Sequence, residues 1–136
     1  MIPKFRAWNT FHNKWVKHFY ITENGLIYNM EQPHRDLIGA VPIEQSGLIV
    51  MQSTGLFCTF TQDELFEGDV ISWTYFDEFE DSGKARIIYE DGCWKLLDIK
   101  TGKEAWDSLF DCLENCTVFL CGNIYENPDF REAEND

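Results

Sequence analysis

The chain has 136 residues, 15% of them aromatic, with 24 acidic side chains against 11 basic and a net charge of −13. That length suits one domain, or a small barrel with an N-terminal extension, and the aromatic content supplies a core. The acidic excess repels phosphate backbones and counts against non-specific nucleic-acid binding. No apolar run approaches the roughly 18 residues of a membrane span, and Met1 to Trp8 lacks the apolar stretch of a signal peptide, so a cytosolic protein is expected.

Lys4-Phe5-Arg6-Ala7-Trp8 alternates charged with apolar or small residues, as a half-buried strand does. Asn9 to Lys14 is a turn cluster, and Trp15 to Ile21 reads as one aromatic and β-branched strand. Asn24-Gly25 predicts a two-residue type I′ hairpin, with Leu26 to Met30 as the return strand. These strands form an N-terminal meander. Glu31 to Gly47, broken by Pro33, Gly39, Pro42 and Gly47, is a long connection with room for a short strand at Leu37 to Val41. Leu48 to Gln52 is a buried strand that Thr54-Gly55 ends. Leu56 to Asp63 fits neither period and reads as a loop or short edge strand.

Phe66-Glu67-Gly68-Asp69 is a tight acidic turn, in which carboxylates can accept backbone N–H bonds and Gly68 takes a conformation that a side chain would strain. Val70 to Phe76 is the strongest strand signal. Asp77, Glu78, Glu80 and Asp81 form a charged tip, and Lys84 to Tyr89 returns as the partner strand. Asp91-Gly92 marks a tight hairpin into Cys93 to Ile99. After Lys100-Thr101-Gly102-Lys103 two readings compete. Trp106, Leu109, Phe110 and Leu113 have helical spacing, and Thr101 with Glu104 could form a capping box. The Thr-Gly turn favours a hairpin returning through Glu104-Ala105-Trp106. The preferred reading is the hairpin, followed by a short helix over Ser108 to Glu114 with Asp107 as its N-cap. Thr117 to Cys121 is the last strand, and Asp129 to Asp136 is a polar tail expected to fray.

The expected fold is therefore all-β. Residues 1–52 form the meander and its connecting segment, 53–128 an SH3-like barrel with one short helix before the last strand, and 129–136 the tail, packed as one compact unit. Charge divides along the same line. Residues 1–40 carry five basic and three acidic residues, net +2, and the remainder is net −15. Two ordinary solvated faces explain the split most simply. The sharper alternative is that the N-terminal segment packs on the acidic half, within one chain or between subunits, which would suit a homo-oligomer.

Several segments together resemble the YopX family of phage and prophage proteins. They are Lys4-Phe5-Arg6-Ala7-Trp8, Met51-Gln52-Ser53-Thr54-Gly55-Leu56, Phe66-Glu67-Gly68-Asp69-Val70-Ile71 and Gly122-Asn123-Ile124-Tyr125-Glu126-Asn127-Pro128. Four such segments in one order across nearly the whole chain are fairly specific, where each alone is weak. The resemblance implies a mainly β fold, a phage or prophage origin and a bacterial cytoplasm. It brings no catalytic residues. One departure stands out: between the Thr-Gly-Leu and Glu-Gly-Asp segments the family usually has a polar, glycine-containing turn, whereas Phe57 to Glu64 is more apolar and has no glycine. Such a stretch would expose an apolar patch, which points to a contact surface.

No catalytic, cofactor or metal site stands out. Five cysteines in a cytosolic chain are expected as thiols. Cys112, Cys116 and Cys121 come nearest to a metal signature, but a zinc site would need Cys58 or Cys93 from afar. His12, His18 and His34 are read as exposed and non-catalytic. Glu67 and Asp69 could hold a divalent cation, but turn chemistry explains them more simply. Gly122 to Pro128 reads as a structural lock on the exit of the last strand. The expected function is thus a non-enzymatic interaction or regulatory module binding a host or phage protein through an acidic, aromatic surface. The alternative is a nucleic-acid-linked role, as an acidic DNA mimic or a single-strand binder, and a hydrolytic or metal-dependent enzyme ranks third.

Overall fold

The computed structural model describes residues 4–31, 39–75 and 83–132 of the chain. These divide into two units, one of Lys4–Gln52 and a second from Ser53 onward. Among the described residues no helix is long and apolar enough to cross a membrane.

The N-terminal unit holds β1 (Phe5–Asn9), β2 (Lys14–Val16), β3 (Phe19–Ile21), β4 (Leu26–Asn29), β5 (Val41–Pro42), a 3-10 turn at Ile43–Gln45 and the first half of β6 (Leu48–Phe57). It is not a simple meander. The stretch Trp15 to Ile21, expected as one strand, is two strands in two sheets. β2 pairs with β1, which pairs with β6, whereas β3 pairs with β4 and β4 with β5. The break has a physical cause: the Glu31 carboxylate accepts from the Lys17 and His18 N–H groups, at 3.0 and 3.2 Å, and removes both from any ladder. Ala7, Val16, Ile27 and Leu48 of these strands form one buried cluster, joined by Phe19, Ile21, Val41, Ile43 and Val50.

The hairpin at Asn24-Gly25 is present, but it is not type I′. Only Gly25 has positive φ, at +84°. The loop is Glu23-Asn24-Gly25, closed by Thr22 N–H to Leu26 O at 2.8 Å and by Leu26 N–H to the Thr22 hydroxyl at 3.0 Å. A glycine in the left-handed region closing a three-residue loop gives the strands the same right-handed twist. Part of the connection expected to carry a strand at Leu37 to Val41 lies outside the described residues, and the strand that is described there is β5.

In the second unit, Ser53 to Phe57 of β6 pairs across a bulge with β7 (Glu64–Phe66). Thr54-Gly55 therefore kinks the strand rather than ending it. The Thr54 hydroxyl donates to Leu65 O at 2.8 Å and accepts from Leu56 N–H at 3.0 Å, so the two extra residues of the bulge keep hydrogen-bond partners nearby.

A five-stranded antiparallel sheet, curled as a half-barrel, follows. It contains β8 (Asp69–Tyr75), β9 (Gly83–Glu90), β10 (Cys93–Asp98), β11 (Glu104–Ala105) and β12 (Cys116–Asn123), in the order β11-β10-β9-β8-β12. Asp91 and Gly92 both have positive φ, +55° and +80°, so this turn is the two-residue type expected. β11 pairs with β10 through Leu96 and Ala105, which settles the competing readings in favour of the hairpin. Helix α1 (Leu109–Asn115) precedes β12. Its N-cap is Ser108, not Asp107, and the Ser108 hydroxyl accepts from Asp111 N–H at 3.1 Å. Inside the curl, Leu65, Ile71, Trp73, Ala85, Ile87, Leu96, Leu109 and Val118 pack with Cys58, Cys112 and Cys116.

The start of the tail is ordered as a helical turn, and the rest of it lies outside the described residues. Asp129–Glu132 forms a short helix, α2, and Phe130 packs on a second small cluster of Val70, Ile99 and Ile124. Phe76 and the acidic tip Asp77, Glu78, Glu80 and Asp81 lie outside the described residues, as do Pro33, His34 and the last four residues.

Candidate functional site

Two of the four family segments meet. In the turn after β7, Gly68 has a φ of +89°, which a side chain would strain. Its N–H donates to Ile87 O at 2.9 Å, and its carbonyl accepts from Ile124 N–H at 3.2 Å. Asp69 is buried, 2% exposed, and accepts Phe66 N–H at 2.8 Å. Asn123 lies opposite Asp69 in the β8–β12 ladder. Its Oδ1 accepts from Tyr125 and Glu126 N–H, at 2.9 and 2.8 Å, while its Nδ2 donates to Glu126 Oε1 at 2.8 Å. Asn127 Oδ1 accepts Asn123 N–H in return. Gly68, Asp69 and Asn123 to Asn127 thus form one hydrogen-bonded corner, with Glu67, Gly122 and Pro128 as their neighbours along the chain.

The other segments are strand residues. Phe5 pairs with Gln52 across β1 and β6. Arg6 lies with its guanidinium 4.6 Å from the Trp15 ring centroid, and Trp8 meets Trp15 edge to face at 4.9 Å. Thr54, Gly55 and Leu56 form the bulge described above.

No group of three His, Cys, Asp or Glu that could hold a metal ion occurs among the described residues. Cys112 and Cys116 are buried in the core, whereas Cys121 is exposed at the β12 bulge, so the three do not converge. His12 and His18 are exposed. Burial, then the neighbouring Cys116 thiol and Asp111, push the Cys112 thiol far above its usual range, and burial pushes Cys116 up as well. With the thiolate so disfavoured, alkylation by iodoacetamide is expected to modify Cys121 and half-buried Cys93 first. Cys112 and Cys116 should stay unlabelled between about pH 7 and 9 until urea is added. Mass spectrometry showing Cys112 labelled in native protein would contradict this packing.

The clearest surface feature is the loop between β6 and β7, the stretch that departs from the family pattern. Cys58 anchors it in the core. Cys58 N–H donates to Asp63 O at 2.9 Å, Gln62 N–H donates to Cys58 O at 3.1 Å, and Gln62 takes a φ of +65°. Burial pushes the Cys58 thiol up. Hydrogen bonds to the Thr61 side chain and the Thr61 and Asp63 backbone outweigh this and leave it below the ordinary thiol value.

The loop then runs along the outer edge of β12. Phe60 N–H donates to Val118 O at 3.2 Å, and Val118 N–H donates to the Thr59 hydroxyl at 2.7 Å. Phe60, 63% exposed, packs its ring 4.6 Å from that of Phe119, and Phe57 is 49% exposed. A tethered loop thus holds Phe60 toward solvent against half-buried Phe119. Phe119 carried no signal of its own in the sequence, since its pairing with Phe60 spans 59 residues. The alternation along β12 was its only trace, with Cys116 and Val118 inward and Phe119 outward.

The model of the YopX protein family matches residues 4–131. Among solved structures, the chain is similar to protein EF1440 from Enterococcus faecalis, at 24% identity and a TM-score of 0.63, over 96% of this chain and 99% of that one. It is also similar to protein yopX from Bacillus subtilis, at 14% identity and a TM-score of 0.58, over 93% and 95% of the two chains. No curated protein matches. The match over nearly all of the chain, carried by the same β framework, places this protein in the YopX family.

Proposed function

We propose that this is a protein of phage or prophage origin that acts in the bacterial cytoplasm as a non-enzymatic interaction module, with Phe60 and Phe119 as the centre of its contact surface. One observation carries the reading: Phe60, 63% exposed, is held toward solvent by its tethered loop and packs on half-buried Phe119, with Phe57, 49% exposed, in the same stretch. The surrounding unit is strongly acidic. From Ser53 onward the chain has twenty acidic and six basic residues, so the partner that fits is a protein with a basic rim around an apolar pocket.

The test is affinity capture from a bacterial host lysate with the full chain, with Phe60→Ser, and with Phe119→Ser. The wild type should retain one protein in stoichiometric amount, and each variant should bind it about 10- to 100-fold more weakly, the scale of losing one buried aromatic anchor. Equal capture by all three chains rejects the surface. A captured DNA-binding protein that duplex DNA displaces would shift the reading to mimicry of DNA by the acidic face. Direct retention of single-stranded nucleic acid with a steep salt dependence would replace it altogether.

A further inference from the structure

The N-terminal unit contains a cavity of about 690 Å³, a volume in the range of small-molecule sites. Val16, Ile27 and Val41 give it an apolar wall. Its polar lining is one-sided. Asn9 is only 7% exposed. Its Oδ1 is consumed by Phe11 and His12 N–H, at 2.9 and 3.2 Å, while its Nδ2 donates to no described residue. Asn29 repeats the arrangement, with Oδ1 accepting Glu31 N–H at 2.9 Å and Nδ2 left over. Lys14 and His12 also line the cavity, and neither makes an ion pair or a side-chain hydrogen bond to a described residue. The one lining carboxylate, Glu31, already receives the Lys17 and His18 N–H groups on Oε2. Spare donors therefore outnumber spare acceptors, and one of them sits on a side chain more than nine-tenths buried. These donors face a cavity open to solvent and can take the acceptors that a bound ligand brings.

Phe11 adds a second element. It is 72% exposed, yet its ring lies flat against Gly47, where an added Cβ would come within 2.1 Å of a ring carbon. Gly47 has a φ of +75°, and the Thr10 N–H and hydroxyl both donate to Gly47 O, at 2.8 and 2.7 Å. One face of the ring is thus seated on backbone while the rest is open at the cavity mouth. An exposed aromatic held in place is a stacking platform.

We propose that this cavity binds a small organic anion with a planar body, its charged head on Lys14 and the spare Asn9 and Asn29 amide donors and its plane against Phe11. Nucleoside monophosphates and aromatic carboxylates share that chemistry. The site lies wholly in the N-terminal unit and does not depend on the Phe60 surface.

The test is NMR titration of the 15N-labelled full chain with AMP, UMP and 1-naphthoate, with inorganic phosphate as the headgroup alone. At least one planar anion should give saturable shifts at Phe11, His12 and the Asn9 side-chain amide, with a Kd below about 1 mM. Phosphate alone should bind at least about tenfold more weakly. Lys14→Ala and Phe11→Ala, each keeping the wild-type spectrum elsewhere, should weaken the probe at least about tenfold. Preference for the nucleotides or for naphthoate identifies the source. The proposal is overturned if no planar anion saturates these signals at about 5 mM, or if both variants bind as the wild type does.

Discussion

Leu96→Ala is expected to lower stability by about 3 kcal/mol, within the roughly 2–5 kcal/mol range of buried Leu truncations. Leu96 is fully buried at the centre of the curled sheet, opposite Ile87 on β9 and Ala105 on β11. β10 is hydrogen-bonded on both sides, so its backbone cannot follow a missing side chain inward, and the cavity should persist. Leu97, half-buried and pointing to the other face, should cost about 1 kcal/mol when truncated, because little surrounds the space it leaves. Urea denaturation followed by near-UV circular dichroism measures both. Equal losses for the two would mean that the inside of the curl is not packed as described.

Asn123→Ala should cost about 2–4 kcal/mol, and the reason is polar. The Asn123 side chain, 4% exposed, accepts two backbone N–H groups and donates to Glu126. Alanine leaves the Tyr125 and Glu126 donors without their acceptor, each at a penalty of about 1–3 kcal/mol unless water reaches them. The corner it holds includes the Ile124 N–H to Gly68 O bond, so the loss should spread to the turn before β8. Hydrogen exchange is the sharper readout. In the variant, Ile124 and Gly68 amides should exchange at least about tenfold faster, while amides of β10 change only by the global loss. Asn127→Ala removes one acceptor from a more exposed side chain and should cost about 1 kcal/mol. If Asn123→Ala is no worse than Asn127→Ala, the corner is held by its apolar contacts instead.

What was legible in the residues follows from the range of the forces involved. The Asp91-Gly92 turn was readable because both positions need positive φ and the demand is met locally. Asn24-Gly25 carries the same kind of signal, yet one glycine in the left-handed region serves a three-residue loop equally well, and the Thr22 hydroxyl tips the choice. Thr54-Gly55 was ambiguous in a similar way, since a bulge and a strand end use the same residues. Ser108 and Asp107 are both good caps, and one position separates them. The split of Trp15 to Ile21 was beyond local reading, because the carboxylate that makes it comes from Glu31. At the candidate sites the same limit holds. The apolar character of Phe57 to Glu64 announced a surface, but not that Phe119 would share it. The donor-rich cavity left no motif, since β1, β2, β4, β5 and the turns around them each contribute one or two residues.

The loop that carries Phe60 has one more consequence. β12 is the last strand of its sheet, and a bare outer strand invites a second copy of the chain to add on. Here the Cys116 N–H is spent on Cys112 O at the helix end, and the Val118 N–H and carbonyl are spent on Thr59 and Phe60. The outer strand is therefore closed to backbone pairing beside the Phe60 ring. That allows the chain to expose aromatic rings without exposing a template for aggregation: what docks there must do so through side chains, which can be selective, and not through backbone pairing, which accepts any strand.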